Sequence, residues 1–195
     1  MEQGRNPRGQ GGRLREKVLA AALELLDELG DDQPLSLRAV ARELGIATTS
    51  IYLHFADRDE LVLAALQQAH DELLAAVALA EEAEDDPRRR LQVRVLVLGA
   101  WASEHPGLYK VLHESTLNQR ADMGFKELLA RGTTAAVQRC MDAGLAAPDD
   151  AATVALDLRV AVHGAVSMRV NQPNLPWPPL EDQIDRFLTK LVYQK

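Results

Sequence analysis

Apolar residues recur along this chain at spacings of three and four, and no segment sustains the strict alternation of a half-buried strand. Val18, Ala22, Leu25, Leu26 and Leu29 fall on one face of a helix read over about Arg13 to Leu29. Leu180, Ile184, Phe187, Leu188 and Leu191 do the same at the other end. Alanine and leucine dominate, both strong helix formers, while aromatic residues make up only 4%. The period predicts an all-α protein. At 195 residues, 47% hydrophobic and 26% charged, the chain has the balance of an ordinary globular protein and enough length for a sizeable core.

The breaks divide this pattern into about nine helices. Residues 1–12, rich in Gly, Arg, Asn and Gln, read as a disordered tail. Gly30 stops the first helix. Ser36 is a suitable N-cap for a second over Leu37 to Leu44. Gly45 then turns the chain into a short third helix, about Ala47 to Leu53. Asp57 with Glu60 forms a capping-box variant that opens a fourth, reaching about Glu81. An acidic run precedes Pro87, which suits the first position of a helix ending near Glu104. His105-Pro106-Gly107 breaks the chain before a short helix bearing Tyr109, Leu112 and His113. Further helices are expected over about Met123 to Ala143, Asp149 to Val170, and from Leu180, after a loop with four prolines in Asn171 to Pro179.

Several function classes fit poorly. The single cysteine, Cys140, allows no intramolecular disulfide, which suits a reducing compartment. The N-terminus lacks the apolar stretch of a signal peptide, and no run of 18 apolar residues is uninterrupted, so no membrane span is expected. A cytoplasmic location follows. His54, His70, His105, His113 and His163 are scattered and Cys140 has no Cys-x-x-Cys partner, so no metal site is expected. Without a Gly-rich phosphate loop, nucleophile elbow or metalloprotease motif, neither an enzyme nor a cofactor is expected. The net charge is −7, yet residues 1–17 carry +3, leaving −10 for the remainder. A basic end on an acidic body can still present cations to DNA.

The segment LRAVARELGIATTSIYLHF, Leu37 to Phe55, is the most informative. Val40, Leu44, Ile46, Ile51 and Phe55 form an inward face, and Ala41 is small where two helices would cross at the Gly45 turn. Thr48, Thr49, Ser50, Tyr52 and His54 are left on or beside the second helix. A plain αα-hairpin shares this spacing. The hydroxyl-rich, charge-poor second helix favours a helix-turn-helix, in which short polar side chains reach base edges in the major groove and hydroxyls donate to phosphates.

Over Arg13 to Leu66 the sequence resembles the TetR (tetracycline-repressor) family. The resemblance rests on the LxxVAxxLGI-type segment, Tyr52-Leu53-His54-Phe55, and the entry to the fourth helix, Ala56 to Leu61. It implies that Arg38, Thr48, Thr49 and Ser50 face bases, and that Tyr52, His54 and Arg58 hold phosphates. Ala47 stands where the family usually has a Ser or Thr cap, and Thr48 where a basic residue is frequent. Glu104-His105-Pro106 with Tyr109, and His163-Gly164, resemble one C-terminal subclass, without its Trp shortly before His-Gly.

The resemblance further implies a helix-turn-helix domain over 13–72 and a helical effector-binding and dimerisation domain over 73–195. Candidate pocket residues are Trp101, Tyr109, His113, Met141, His163 and Met168, each of which could instead serve the core. The expected partners are a near-palindromic double-stranded operator, an unidentified small-molecule effector, and a second copy of the chain. The second copy would pair through helices at about 149–170 and 180–193, whose apolar stripes a monomer would expose. The fourth helix, shared by both domains, is the expected lever for release from DNA. The alternatives are a helical small-molecule-binding protein without DNA binding, against which the Thr48 to His54 surface argues, and an all-helical enzyme, which lacks its motifs.

Overall fold

The computed structural model describes residues 10–193. The expectation for residues 1–9 of the tail lies outside them, while residues 10–12 already belong to the first helix. The described residues form helices and no strand: α1 (Gln10–Leu29), α2 (Leu37–Glu43), α3 (Thr48–Ile51), α4 (Arg58–Glu82), α5 (Pro87–Glu104), α6 (Pro106–Glu114), α7 (Leu117–Arg120), α8 (Lys126–Asp142), α9 (Ala151–Asn171) and α10 (Leu180–Leu191). The all-α expectation holds. The one-turn α7 is the element that periodicity passes over.

The chain divides into two compact units. Unit one contains the residues up to Ala69 together with Gly107–Ala121, so α6, apart from Pro106, and α7 return to the N-terminal helices. Its core joins Val18, Ala22 and Leu26 of α1 to Val40, Ile51, Phe55, Leu61 and Leu66, and includes Leu108, Val111 and Leu117. Two acidic residues tie the returning segment in. Asp27 Oδ1 on α1 accepts from the backbone N–H groups of Gly107 (2.8 Å) and Leu108 (3.0 Å), satisfying donors that an α6 N-terminus would otherwise leave orphaned. Position 107 admits only glycine, because a Cβ there would lie 1.8 Å from the Asp27 carbonyl oxygen. Asp32 is fully buried and accepts from the Ser115 hydroxyl and from Arg58.

Unit two contains His70–Pro106 and Asp122–Lys195. Here α5, α8, α9 and α10 enclose Leu91, Val95, Val137, Cys140, Ala155, Leu158, Ile184 and Leu188. The Arg94 guanidinium, 4% exposed, spans this bundle. It donates to Glu81 Oε1 (3.1 Å), Thr133 Oγ1 (3.2 Å) and the Leu129 carbonyl (3.2 Å), so its buried charge is paired and bonded. By length and composition α9 could cross a membrane, with mean hydropathy 1.2, yet Val154, Ala155 and Leu158 on it belong to the bundle core.

Candidate nucleic-acid interface

The geometry of the interface starts at a helix stop. At the end of α2 Gly45 takes φ +64, a conformation glycine adopts without a Cβ penalty. The N–H of Ile46 reaches the Ala41 carbonyl (3.0 Å) and that of Gly45 reaches Arg42 (3.2 Å), the paired bonds of a Schellman stop. Ser36 caps the other end, its Oγ accepting from Ala39 N at 3.1 Å. The turn then sends α3 off at once. Ala47 offers that helix no side-chain cap, and one regular turn is all that forms before Tyr52.

Burial separates the two faces of this hairpin. Val40, Ala41, Ile51 and Phe55 are buried, while Leu44 and Ile46 are half-buried. Arg38 on α2 and Thr49 on α3 are exposed, and Thr48, Ser50 and His54 are half-buried beside them. Tyr52 is 56% exposed and Leu53 78%. Seven apolar or polar positions from Thr48 to His54 thus supply hydroxyls, an imidazole and one exposed isobutyl group. Leu53 escaped the reading of the sequence because its chemistry reads as core. Leu53 lies just past the end of α3, and at such exposure it contributes nothing to the core. Arg42 is also exposed on α2.

Arg58 is placed differently from the other expected contacts. Its guanidinium donates to Asp32 Oδ2 (2.6 Å), to the Leu35 carbonyl (3.0 Å), to the Asp32 carbonyl and to Asp59 Oδ1 (2.5 Å). These acceptors all lie within unit one and hold the start of α4 against the α1–α2 loop. Asp57 Oδ1 accepts from Glu60 N (2.8 Å), and Glu60 Oε2 accepts from Ala56 N (2.5 Å), so both carboxylates of the expected capping box bond, the second one residue further back.

The six effector-side candidates fall into two groups. Tyr109 and His113 lie on α6 in unit one, their rings 4.5 Å apart. Tyr109 is buried, and burial first, then the Glu114 carboxylate, raises its phenol pKa well above the ordinary value. In unit two the Trp101 ring lies 5.4 Å from that of His105. Met141 packs against the bundle core, while His163 and Met168 are exposed on α9.

The sequence reading passed over His70 in this unit. His70 is 3% exposed, and both its ring nitrogens lack a hydrogen-bond partner. Burial pushes its imidazole below the usual histidine range; the Asp71 carboxylate opposes this and the Lys126 ammonium adds to it. Among the described residues no three of His, Cys, Asp and Glu come together to hold a metal ion.

An all-helical chain that presents the exposed half of a helix-turn-helix in this way has the architecture of a DNA-binding transcriptional regulator. Residues 18–65 match the bacterial regulatory proteins of the tetR family, and residues 96–193, half of the chain, match the tetracyclin repressor-like C-terminal domain. The chain belongs to the TetR family of transcriptional regulators. It is 24% identical over 98 residues to the nucleoid occlusion factor SlmA of Sodalis glossinidius, and that match spans half of each chain. A solved protein of unknown function from Rhodococcus sp. RHA1 is similar over 98% of this chain and 100% of its own, with TM-score 0.79 and 26% identity. A TetR family transcription regulator from Marinobacter aquaeolei VT8 shares the fold over 92% of this chain and 96% of its own, with TM-score 0.73 and 19% identity.

Proposed function

We infer that the chain is a dimeric repressor that leaves its operator when a small molecule binds. The observation that carries this reading is the exposed polar face running from Arg38 through Thr49 to Tyr52, set by a glycine turn on a buried Val40–Ile51–Phe55 base. Arg38, Thr48, Thr49 and Ser50 read bases; Tyr52 and His54 hold phosphates. Arg58 contributes by fixing the first turn of α4 through Asp32. Such a regulator works in the cytoplasm, where its operator is. An effector releases it only by binding the DNA-free state more tightly.

The second copy pairs through α9 and α10. One stripe of α9, including Ala155, Leu158 and Ala165, is buried in its own bundle, and so is Ile184 of α10. The outward stripe holds Leu156 (53% exposed), Val160 (63%) and Met168 (47%), with Leu191 (36%) on α10. A two-fold axis there sets the two recognition helices one DNA turn apart, roughly 34–36 Å, and requires a near-palindromic operator. Leu156→Glu should give a folded monomer in sedimentation that no longer footprints the operator. Leu158→Arg is no test of assembly, since Leu158 is 1% exposed within one subunit.

The direct test is a footprint on the DNA flanking the chain's own coding region. A protected, near-palindromic site supports the reading; no protection at any salt concentration defeats it. Within a footprinting protein, Tyr52→Phe should weaken all sequences alike by about 1 kcal/mol, the scale of one hydrogen bond. Thr48→Ala should instead relax preference at one base position per half-site.

A further inference from the structure

Unit two contains a polar group that the fold buries and leaves unanswered. His70 sits on α4 with 3% of its surface exposed, and neither Nδ1 nor Nε2 has a hydrogen-bond partner. Buried polar groups in native proteins are bonded in the great majority of cases, and an exception calls for an explanation such as strain, a catalytic role or a bound water or ion. The ring does not stand in a purely apolar cage. Phe125, the N-cap residue of α8, meets it edge-on, with ring centroids 5.2 Å apart and planes at 68°. Met123, 9% exposed, lies two residues earlier in the same turn.

The surroundings have a sign. Lys126, the first residue of α8, is close enough for its charge to act on His70. Its own ammonium is disfavoured first by burial and then by the positive charge of Arg159 on α9. Lys126 thus acts on His70 and is itself acted on by Arg159, which is exposed on α9. The N-terminus of a 17-residue helix adds its positive dipole end at the same place. On the other side, the Asp71 carboxylate acts on His70 and Glu127 occupies the first turn of α8, both exposed to solvent. The half-buried Lys126 and the N-terminus of α8 thus set positive potential beside the His70 ring, while Arg159, Asp71 and Glu127 are exposed to solvent.

We propose that His70, Phe125 and Lys126 form the head-group site for a small organic carboxylate with an apolar body, and that this is the class of effector to which the protein responds. The carboxylate takes a hydrogen bond from the His70 ring and meets the Lys126 ammonium, while the apolar body lies against Phe125 and Met123. Arg159 contributes through its field. The inference rests on the proposed regulatory function for its consequence at the operator, but the site itself does not depend on DNA.

The test uses the full chain and a named probe set: hexanoate, decanoate and benzoate, each beside its primary amide. Calorimetry and thermal shift should show at least one carboxylate binding at least tenfold more tightly than its amide. His70→Leu, which keeps the volume and removes the unbonded nitrogens, should fold at least as well as wild type and lose the thermal shift. Lys126→Gln should weaken the same carboxylate at least tenfold. Arg131→Gln, on the exposed side of α8, should leave it unchanged. Amides binding as well as carboxylates, a full shift retained by His70→Leu, or no probe binding at all would each overturn the site. A carboxylate that binds through His70 yet leaves the operator footprint intact would keep the site and defeat the repressor-release reading. A footprint with no carboxylate response would do the reverse.

Discussion

Asp32 in unit one and His70 in unit two are both almost wholly shut away from solvent, yet the fold treats them in opposite ways. Asp32 is surrounded by donors: the Arg58 guanidinium at 2.6 Å, the Ser115 hydroxyl, and Gln33 Nε2 at 3.3 Å. Neither nitrogen of His70 has a donor or acceptor opposite it. A satisfied buried network fixes one geometry, whereas a half-open one is stabilised by whatever completes it. The unit that presents the DNA-reading helix is thus closed by its own side chains. Unit two instead buries an imidazole that has no hydrogen-bond partner.

The contrast can be broken from the closed side first. Asp32→Ala strips Arg58 of its buried partner and leaves the Ser115 hydroxyl facing a void. Removing one member of a buried pair is costly, and with Arg58 partly exposed we expect a loss of about 3 kcal/mol in urea unfolding. If the loss stayed below about 1 kcal/mol, the network would not be what holds the start of α4. Gly107→Ala should cost about 2 kcal/mol, as overpacking usually does, because the new methyl would meet the Asp27 backbone. Its melting temperature should fall accordingly, and an unchanged value would mean that α6 docks less closely than described.

The smallest effect has the opposite sign. His70→Leu should stabilise the ligand-free protein by up to about 1 kcal/mol, by removing a buried group without partners. The pH dependence sharpens this. Burial, opposed by Asp71 and aided by Lys126, lowers the folded pKa of His70, so the unfolded chain takes up the proton first as pH falls. Stability from this residue is complete above the unfolded value, about 6.5, and is lost as pH drops from there towards the folded value. The His70→Leu variant should therefore lose less stability than wild type between neutral and mildly acidic pH. Parallel curves would show that the imidazole is already bonded in the free protein.

Local chemistry made much of unit one legible in sequence. Gly30 and Gly45 stop helices with φ of +60 and +64, and Ser36 and Asp57 cap where their types suggest. What stayed hidden was long-range. Nothing near Asp27 announces that it caps a helix 80 residues on. Arg58 reads as a surface cation until the fold places Asp32 beside it. On α9 apolar residues occupy nearly every side, so spacing could not decide that Leu158 turns inward while Leu156 and Val160 turn out. His70 gave no sign at all, because a lone histidine on an apolar face usually finds a partner.

The return of Gly107–Ala121 to the N-terminal helices also sets an order of events during synthesis. A nascent chain ending at Ala69 has α1 to α3 and the start of α4 but lacks the backbone donors for Asp27 and the Ser115 hydroxyl for Asp32. It must wait while the intervening stretch emerges, several seconds at about 5–20 residues per second. Closing so long a loop carries an entropic cost that only the docked segment offsets. The DNA-binding end of the molecule, though first off the ribosome, therefore cannot finish folding until Ala121 has emerged. A fragment cut after Ala69 should bind DNA poorly, because Asp27 loses both its backbone donors and Asp32 keeps Arg58 but loses the Ser115 hydroxyl.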